Sequence, residues 1–287
     1  ATVFELRAGV DANSTISGAQ FTSKSFSGGE IHFIPTSQSN FLASQLMGTP
    51  NTSGFDEFAE WGSPGGNAAP YAIADLQSTA HVIASLASTP SPLAGTHIRD
   101  PNGPSTSFAV ESFMDELAAA ARVDPVQFRL KHLTDDRAKA VLTAAAEKYG
   151  WEARVSPRSR GTGSLLTGRG LALGIRGGTY VGNLAEVEVD TRTGRVRVTR
   201  YIVAHDCGLI INPLGLTRTL EANVVQTLSR TLREEVRFSR RAVTSVDWAT
   251  YPISHLSDVP PAIDVVLINR PEVASTGAGE PASRALA

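Results

Sequence analysis

The segment from Ala204 to Glu235, AHDCGLIINPLGLTRTLEANVVQTLSRTLREE, constrains the fold of this chain more than any other segment. It follows an apolar, β-branched run, Val196–Val203, and begins with a turn rich in Gly, Asn and Pro. The segment then becomes amphipathic, with apolar residues recurring every four positions: Leu220, Val224, Leu228 and Leu232. This spacing is the period of an α-helix with one buried face. The sequence therefore predicts a strand, a turn and a buried helix in succession.

A strand that leads through a tight turn into a helix brings backbone amides and short polar side chains together. The N-terminus of a helix has unpaired N–H groups and the positive end of the helix dipole, and anionic cofactors are often held there. On this segment alone, an ordinary packing unit is the simpler interpretation. Features elsewhere in the chain are needed to distinguish a cofactor-binding site from an ordinary packing unit.

Size and composition exclude several classes of protein. A chain of 287 residues can bury a substantial core and form two subdomains. A formal net charge of −2 gives no reason to expect a nucleic-acid partner. The single cysteine, Cys207, excludes an internal disulfide and an iron–sulfur site built by this chain alone. No apolar run approaches the roughly 20 residues that span a bilayer.

The residue patterns predict an α+β fold with mixed sheets, packed helices and two subdomains. The predicted ranges are 1–151 for the first subdomain, 152–170 for a linker rich in Gly, Ser and Arg, and 171–287 for the second. Residues 1–80 contain short apolar stretches between turn-forming residues, which predict irregular short strands. These stretches are Val3–Leu6, Ile31–Ile34 and Phe41–Leu46.

Three helices are predicted between the two groups of strands. The first covers FAVESFMDELAAAARV, residues 108–123. The second has Asp124 at its N-cap and Pro125 at its first position, with Gln127 placed to complete a capping box. The third runs from about Asp136 to Tyr149 and ends at Gly150, because glycine readily adopts the left-handed conformation that ends helices.

The second group of strands contains a hairpin. Ala185–Val189 alternates apolar and charged residues, which indicates a strand with one exposed face. The turn-forming residues Asp190–Gly194 join it to the return strand, Val196–Val203. Ile263–Ile268 predicts a further strand.

Glu280 is the strongest candidate catalytic residue, because it closes the turn Gly277-Ala278-Gly279-Glu280. Glycines let a backbone approach a ligand closely, and such a turn can direct a carboxylate into a cavity as a general base. A surface turn is the alternative.

Two polar residues are candidates for binding an anion or a ligand. Arg99 lies in a turn and carries a guanidinium group that binds anions, although Asp100 beside it also suits a surface pair. Gln226 lies beside the apolar stripe of the late helix, where an amide contacts either a ligand or the backbone.

Other polar motifs favour structural roles. His205 and Asp206 are adjacent on a predicted strand and therefore point to opposite faces, which argues against a catalytic dyad. Asp206 is predicted to brace the following turn, and Cys207 to be a small buried residue. The six histidines are scattered without ligand spacing, so no zinc site is predicted. Gly177-Gly178-Thr179-Tyr180 only loosely resembles a phosphate-binding loop.

Six blocks in order resemble one protein family. They are HIRDPNGPSTSFAVESFMDELA, VDPVQFRLKHL with a following D-x-RA, AEVEVD-x3-G-x-VRV, VAHDCGLIINP, Q-x-x-S and GAGEP. Together they strongly resemble the molybdopterin-binding large subunit of the xanthine dehydrogenase/aldehyde oxidase family. The subgroup they resemble most is the isoquinoline 1-oxidoreductase β-subunit type. The resemblance runs from about Asn40 to Pro281, which makes the chain look like a C-terminal fragment of such a subunit.

The resemblance implies a molybdenum–molybdopterin cofactor, in its cytosine dinucleotide form, and hydroxylation of an N-heteroaromatic ring carbon or an aldehyde. It implies that Glu280 is the catalytic base. It also implies a small [2Fe-2S] partner subunit that takes the electrons, and a metal held by the pterin, with no side-chain ligand. The implied cofactor contacts are Arg99, Gly103, Gln226, Gly277, Ala278 and Gly279.

Two positions depart from the family pattern. Asn102 replaces a common glycine, and Thr219-Leu220-Glu221-Ala222-Asn223 replaces the usual Q-x-EGG. Bulkier side chains at glycine positions are able to crowd a cofactor. These departures favour the alternative function, a non-catalytic scaffold that keeps the fold without the cofactor.

Overall fold

The computed structural model describes residues 2–26, 47–48, 70–83, 98–101, 103–157 and 161–286. Its strands are β1 Thr2–Val10, β2 Ile16–Phe26, β3 Leu76–Ile83, β4 Leu165–Arg176, β5 Thr179–Asp190, β6 Val196–Asp206 and β7 Ile263–Leu267. Its helices are α1 Gly103–Ala120, α2 Pro125–His132, α3 Asp136–Tyr149, α4 Pro213–Leu232 and α5 Pro281–Arg284, with a 3-10 turn at Leu256–Asp258. Two sheets with packed helices confirm the predicted α+β class.

The first sheet has the order β1-β2-β3, with β1 antiparallel and β3 parallel to β2. The prediction of irregular short strands was wrong for this part, because Val3–Leu6 is only part of a nine-residue strand. The exposure of β1 alternates along its whole length, as a half-buried strand requires. Pairing with the long strand β2 extends β1 beyond this apolar stretch. Ile31–Ile34 and Phe41–Leu46 lie outside the described residues.

The second sheet has the order β4-β5-β6-β7 and carries the candidate site. Its β5–β6 hairpin confirms the predicted turn at Asp190–Gly194, and β7 confirms the predicted late strand, which pairs parallel to β6. Because neighbouring residues of a strand face opposite sides, Ile202 and Ala204 pack into the core that contains α3. Tyr201 and Val203 pack into a second core with α4. The sheet is thus covered on both faces.

Helix α1 joins the first part of the chain to the second sheet through Glu111. Oε1 of Glu111 accepts a hydrogen bond from Tyr71 Oη (2.8 Å), and Oε2 accepts from Leu173 N at the edge of β4 (3.1 Å). Arg129, which is fully buried on α2, also donates to Oε2 (2.9 Å). Burial alone lowers the pKa of Arg129, but Glu111, Tyr71 and Asp115 outweigh this effect and raise the pKa above its ordinary value, so the guanidinium stays charged.

One apolar core crosses the predicted subdomain boundary. It contains Ile16 and Phe21 from β2 together with Leu171, Leu184 and Ile202 from the second sheet. Strand β4 begins at Leu165, so the last six residues of the predicted linker, 165–170, are part of a strand. The division into subdomains 1–151 and 171–287 stays a prediction.

The helix signals of the sequence were largely local and accurate. Oδ1 of Asp124 accepts hydrogen bonds from Val126 N (2.9 Å) and Gln127 N (3.0 Å), which confirms the N-cap of α2. The bounds of α3 are those predicted, and Gly150 after it has φ 78°. Helix α1 was predicted from Phe108 but begins five residues earlier, because Gly103 and Pro104 start it.

Helix α4 confirms the predicted buried helix. Leu220 and Val224 are fully buried and Leu228 nearly so, whereas Leu232 is 38% exposed, so the buried stripe ends one turn early. Asn212 caps the helix by accepting from Gly215 N (2.9 Å). No helix among the described residues is long and apolar enough to cross a membrane.

Candidate active site

The turn after β6 supports the loop that precedes α5. Leu209 N donates to Val273 O (2.9 Å), and Thr276 N donates to Cys207 O (2.9 Å). Gly208 lies between them with φ 78°, and a Cβ there would overlap the backbone of the supported loop. The strand–turn–helix segment therefore fixes where the Gly-Ala-Gly-Glu turn lies.

The hairpin between β4 and β5 supports the same loop from the other side. Gly177 and Gly178 form its turn, with φ values of 55° and 81°. Thr179 Oγ1 then donates to Gly277 O (2.7 Å). The glycines of this stretch, which loosely resembles a phosphate-binding loop, thus have a sufficient structural reason, since a two-residue hairpin turn favours positive φ.

No comparable structural reason explains the glycines of the Gly-Ala-Gly-Glu turn. Gly277 and Gly279 are exposed and have no positive φ, and a Cβ at either position would meet no atom within 4 Å. Ala278 between them is half-buried. Neither the backbone conformation nor packing against the described residues requires glycine here, whereas close approach of a ligand to the backbone does require it.

Glu280 is held against the loop that contains Arg99. Its Oε1 accepts a hydrogen bond from Asp100 N (3.3 Å), and its Oε2 lies 2.5 Å from Nη2 of Arg176. Its side chain is 38% exposed, so solvent and a ligand can both reach it. The carboxylate is oriented by two donors from different parts of the chain.

Asp100 is the centre of this arrangement and is fully buried. Its Oδ1 accepts from Arg176 Nη1 (3.0 Å) and Arg284 Nη2 (2.8 Å), and its Oδ2 accepts from Arg284 Nε (3.1 Å). A Cβ at Gly103 would overlap the Asp100 carboxylate, so packing alone requires this glycine. We call Asp100, Arg176, Glu280 and Arg284 the Asp100 cluster.

Helix α4 reaches the same loop through Arg230. Nη1 of Arg230 donates to Arg99 O (2.9 Å). Gln226 lies one helical turn before Arg230 on the same face and is exposed. The structure therefore brings Glu280 and the Arg230 end of α4 to the loop that contains Arg99, although these residues lie far apart in sequence.

A cavity of about 460 Å³ opens beside this loop, between the first turns of α1 and the second half of α4. Its walls include Ile98, Phe108 and Thr227. Nε of Arg230 is buried in the wall and has no hydrogen-bond partner in the part of the chain that the structure describes. Burial lowers the pKa of this guanidinium, since desolvation penalises its charged form.

The donor set around the loop fits an anionic cofactor. Four arginines, Arg99, Arg176, Arg230 and Arg284, accompany the three carboxylates of Asp100, Glu234 and Glu280 among the described residues. The open backbone at Gly277 and Gly279 leaves room for a ligand at the same place. Among the described residues, no group of three or more His, Cys, Asp or Glu side chains is placed to hold a metal ion.

His205 and Asp206 form no dyad, as predicted. Asp206 is fully buried and accepts from Arg137 Nη2 (2.6 Å), Arg270 Nε (2.5 Å) and Gly208 N (3.1 Å), so it braces the turn. Burial alone raises the pKa of Asp206, but the hydrogen bonds from the two arginines outweigh it and lower the pKa. Cys207 is buried, and burial raises the pKa of its thiol.

His205 is buried on the opposite face of β6, towards α4. Neither of its ring nitrogens has a hydrogen-bond partner among the described residues. Burial lowers its pKa to about 4, so the ring is neutral at pH 7.

The sequence reasoning missed four residues of the site: Asp100, Arg176, Arg230 and Arg284. Two of them had a local signal, because Arg230 follows Gln226 and Arg284 follows Glu280 by four residues, the spacing of helix neighbours. Arg176 had none, since its place depends on the register of the β4–β5 hairpin, where it pairs with Thr179.

The two departures from the family pattern have different outcomes. Asn102 lies outside the described residues. Asn223 is fully buried, and its Oδ1 accepts from Ser283 Oγ of α5 (2.8 Å). Its side chain thus joins two helices of the fold.

Comparison with a family model described as molybdopterin cofactor-binding domain gives a match over residues 85–260. One nicotinate dehydrogenase subunit, from Pseudomonas putida, is 42% identical over 186 residues, which cover 62% of this chain and 16% of that protein. The beta subunit of isoquinoline 1-oxidoreductase from Brevundimonas diminuta is 31% identical over 158 residues, covering 53% and 19%. The chain thus spans less than a fifth of the length of these two curated relatives.

Solved structures show the same fold. Aldehyde oxidoreductase from Desulfovibrio gigas matches with a TM-score of 0.68 and 12% identity, over 99% of this chain and 46% of that chain. Quinoline 2-oxidoreductase from Pseudomonas putida 86 matches with a TM-score of 0.69 and 11% identity, over 99% and 57%.

Proposed function

The chain belongs to the molybdopterin cofactor-binding domain family, and on that premise we propose that it is part of the catalytic subunit of a molybdenum-dependent oxidoreductase. The observation that carries this proposal is the Gly-Ala-Gly-Glu turn. Its two glycines serve neither backbone conformation nor packing within the described residues, and its glutamate faces the loop that holds Arg99. A cofactor lying against this turn explains both features.

Each candidate residue then has a role. The open backbone of Gly277, Ala278 and Gly279 lets the cofactor approach, and Gly103 admits the Asp100 carboxylate that fixes the 98–101 loop. Arg99 and Gln226 bind the cofactor's polar groups from two sides. When bound, the molybdenum–pterin group supplies the redox chemistry that side chains lack.

Glu280 is the general base. Its carboxylate accepts, at an ε-oxygen, the proton that a water-derived nucleophile has to lose before it attacks the substrate. Arg176 and the Asp100 amide hold the carboxylate in one orientation meanwhile. Such positioning lowers the activation barrier of the reaction, because the entropy cost of orienting the reacting groups has already been met in the folded protein.

The substrate is an N-heteroaromatic compound or an aldehyde, hydroxylated at an electron-poor carbon. The relatives named for nicotinate, isoquinoline and quinoline support the first class, and the aldehyde oxidoreductase supports the second. The cofactor is proposed to be the cytosine dinucleotide form. The electrons pass to a small [2Fe-2S] subunit, because this chain has one cysteine and builds no cluster of its own.

A non-catalytic scaffold without cofactor is the second candidate. The observation in its favour was the loss of family glycines in the stretch 219–223. The burial of Asn223 against α5 weakens this support for a scaffold, because the Asn223 side chain occupies the protein interior and not the cavity.

Molybdenum content tests the proposal. Gly279→Val in the complete enzyme fills the space at the turn, so molybdenum per protein should fall several-fold while the melting temperature stays unchanged. Gly170→Val is the matched control, since Gly170 also has open space and no positive φ but lies away from the turn. Full molybdenum content in both variants contradicts a cofactor at this turn.

A further inference from the structure

We propose that the outer edge of β4 at residues 165–169 is the docking site for an extended strand from the part of the catalytic subunit that lies outside these 287 residues. The added strand carries an apolar residue opposite Leu165 and an acidic residue opposite Arg169. This inference rests on the proposed function, because that function places the chain within a larger catalytic subunit. The edge is separate from the candidate active site, since Arg169 lies roughly 23 Å along β4 from Arg176.

Alternate backbone groups of β4 point away from its sheet. Strand β4 is the first in the order β4-β5-β6-β7, so only its inner edge pairs with another strand. Ser164 O accepts a hydrogen bond from Thr191 N, the residue after β5 (2.9 Å), so even-numbered residues face β5. Leu173 N donates in the opposite direction, to Oε2 of Glu111 on α1 (3.1 Å), so odd-numbered residues face outward.

Helix α1 covers only one half of this outer edge. At the covered half, Leu171 is buried and Leu173 N is bound by Glu111. At the other half, the outward N–H and C=O groups have no hydrogen-bond partner in the part of the chain that the structure describes. These groups belong to Leu165, Thr167 and Arg169. The exposed half of the edge therefore offers a row of free donors and acceptors to another strand.

The exposed half also lacks the features that usually protect an edge strand. The sequence Leu165–Arg169 contains no proline and no lysine, and its register with β5 has no bulge. Leu165 is 61% exposed. By contrast, β7 at the other edge of the sheet is only five residues long. A long, regular edge with an exposed leucine favours pairing with a further strand.

Arg169 is the charged residue of this edge, but its side chain is turned aside. The guanidinium lies over the ring of Trp151 (4.0 Å to the centroid), and Nη2 donates to Glu152 O (2.6 Å). The nearby carboxylates are those of Glu152, which is exposed, and of the cross-strand neighbour Glu186. Both oxygens of Glu186 already accept hydrogen bonds from hydroxyl groups, and Arg169 acts on this carboxylate only at longer range. An acidic residue on the added strand supplies the direct cross-strand partner that Arg169 lacks among the described residues.

A cavity of about 580 Å³ beside the exposed edge leaves room for side chains of the added strand. Thr167 and Arg169 contribute to its wall from β4, and Arg154 contributes from the segment after α3. Strand addition of this kind takes its affinity from backbone hydrogen bonds and its specificity from pockets for alternate side chains. The exposed edge of β4 provides both.

The length of the relatives favours the same subunit as the source of the strand. The matched stretches cover only 16% and 19% of the two curated relatives, so most of a complete subunit of this kind lies outside this chain. A strand of the same polypeptide also pairs without the entropy cost of bringing two free molecules together.

Hydrogen exchange at single residues in the complete enzyme tests the pairing. The amides of Thr167 and Arg169 should exchange at least about a hundredfold more slowly than in an unstructured peptide, as should those of Leu166 and Gly168, which face β5. Thr167→Pro removes an outward N–H that β5 does not use, so protection should fall at Arg169 and persist at Gly168. An alternating pattern in the unmodified enzyme, with only Leu166 and Gly168 protected, overturns the proposal.

Photo-cross-linking with p-benzoylphenylalanine in place of Leu165 identifies the occupant. The label should join a segment of the same subunit outside residues 1–287 in which an apolar and an acidic residue lie four positions apart. The same label in place of Leu214, which is 69% exposed at the start of α4, is the control and should not join that segment. A cross-link to the small subunit, to a second copy, within residues 1–287 or to a segment without that spacing overturns the proposal, as does the absence of any cross-link. Failure of the proposed function is distinct, because an enzyme without molybdenum would still show the same exchange pattern and cross-link.

Discussion

Arg176 and Glu280 form an ion pair in which Nη2 of the guanidinium lies 2.5 Å from Oε2 of the carboxylate. The same guanidinium donates through Nη1 to Oδ1 of the buried Asp100 (3.0 Å). One side chain, at the end of β4, therefore sets the position of the proposed base relative to the 98–101 loop. The base is oriented before any substrate binds.

Arg176→Gln should lower kcat on the order of tenfold, because Glu280 loses one of its two orienting donors while its carboxylate remains. Arg176→Lys should recover part of the rate, since it keeps the charge. Arg284 still pairs with Asp100, so the melting temperature and molybdenum content should change little. A rate equal to that of the unmodified enzyme would show that the pair does not position the base.

Asp124→Ala should destabilise the protein by about 2–4 kcal/mol, measured as the free energy of unfolding in urea. The sequence alone predicts about 1 kcal/mol for a lost N-cap. The structure raises this value because Oδ2 of Asp124 also accepts from Trp151 Nε1 (2.9 Å) and Arg154 N (2.9 Å).

Asp136→Ala is the matched control for Asp124→Ala. Its side chain is 95% exposed, so the expected change stays within about 0.5 kcal/mol. Equal effects of the two substitutions would contradict the role of Asp124 as a joint between α2 and the segment after α3.

The buried His205 should make stability depend on pH. Its folded-state pKa of about 4 lies below the ordinary value of 6.5, so the unfolded chain binds more protons between these values. Its contribution is therefore complete above pH 6.5 and is lost as the pH falls towards 4. At about 1.4 kcal/mol per pKa unit, the loss amounts to about 3.5 kcal/mol.

His205→Leu should remove this dependence, measured as the difference in the free energy of unfolding between pH 7.5 and pH 4.5. His81→Leu is the control at an exposed position of β3 and should leave the dependence unchanged. The same pH dependence in the unmodified protein and in His205→Leu would show that the ring is not buried in its neutral form.

The proposed electron partner leads to a kinetic prediction. With its one cysteine this chain builds no iron–sulfur cluster, and the proposed function passes the two electrons of the reduced cofactor to a separate [2Fe-2S] subunit. The purified large subunit should therefore be reoxidised by an acceptor dye much more slowly than the complex with its iron–sulfur subunit. Equal reoxidation rates for both would argue against a separate partner.

Local features of the structure were predictable from sequence, and long-range ones were not. The cap at Asp124, the end of α3 at Gly150 and the hairpin at Asp190–Gly194 depend on neighbouring residues, so the sequence pattern contains them. The length of β1 depends on pairing with β2, which no pattern within residues 2–10 reveals.

The same distinction applies to the candidate site. The Gly-Ala-Gly-Glu turn has a local signature, and the motifs around Arg99, Gln226 and Glu280 single out each residue separately. The sequence suggests only a surface pair between Asp100 and Arg99, because Arg284, the partner of Asp100 in the fold, is 184 residues away. The Asp100 cluster is assembled by tertiary contacts, so no regular spacing in the sequence reveals it.

The most direct test of the account is Glu280→Gln in the complete enzyme, which keeps the size of the side chain and removes the base. Molybdenum content is measured beside the rate of cofactor reduction in a single turnover. The account predicts normal molybdenum content and a rate lower by on the order of a hundredfold or more. Glu272→Gln, an exposed position earlier in the same loop, should leave the rate unchanged. Full molybdenum content with an undiminished rate in Glu280→Gln would contradict the assignment of Glu280 as the general base.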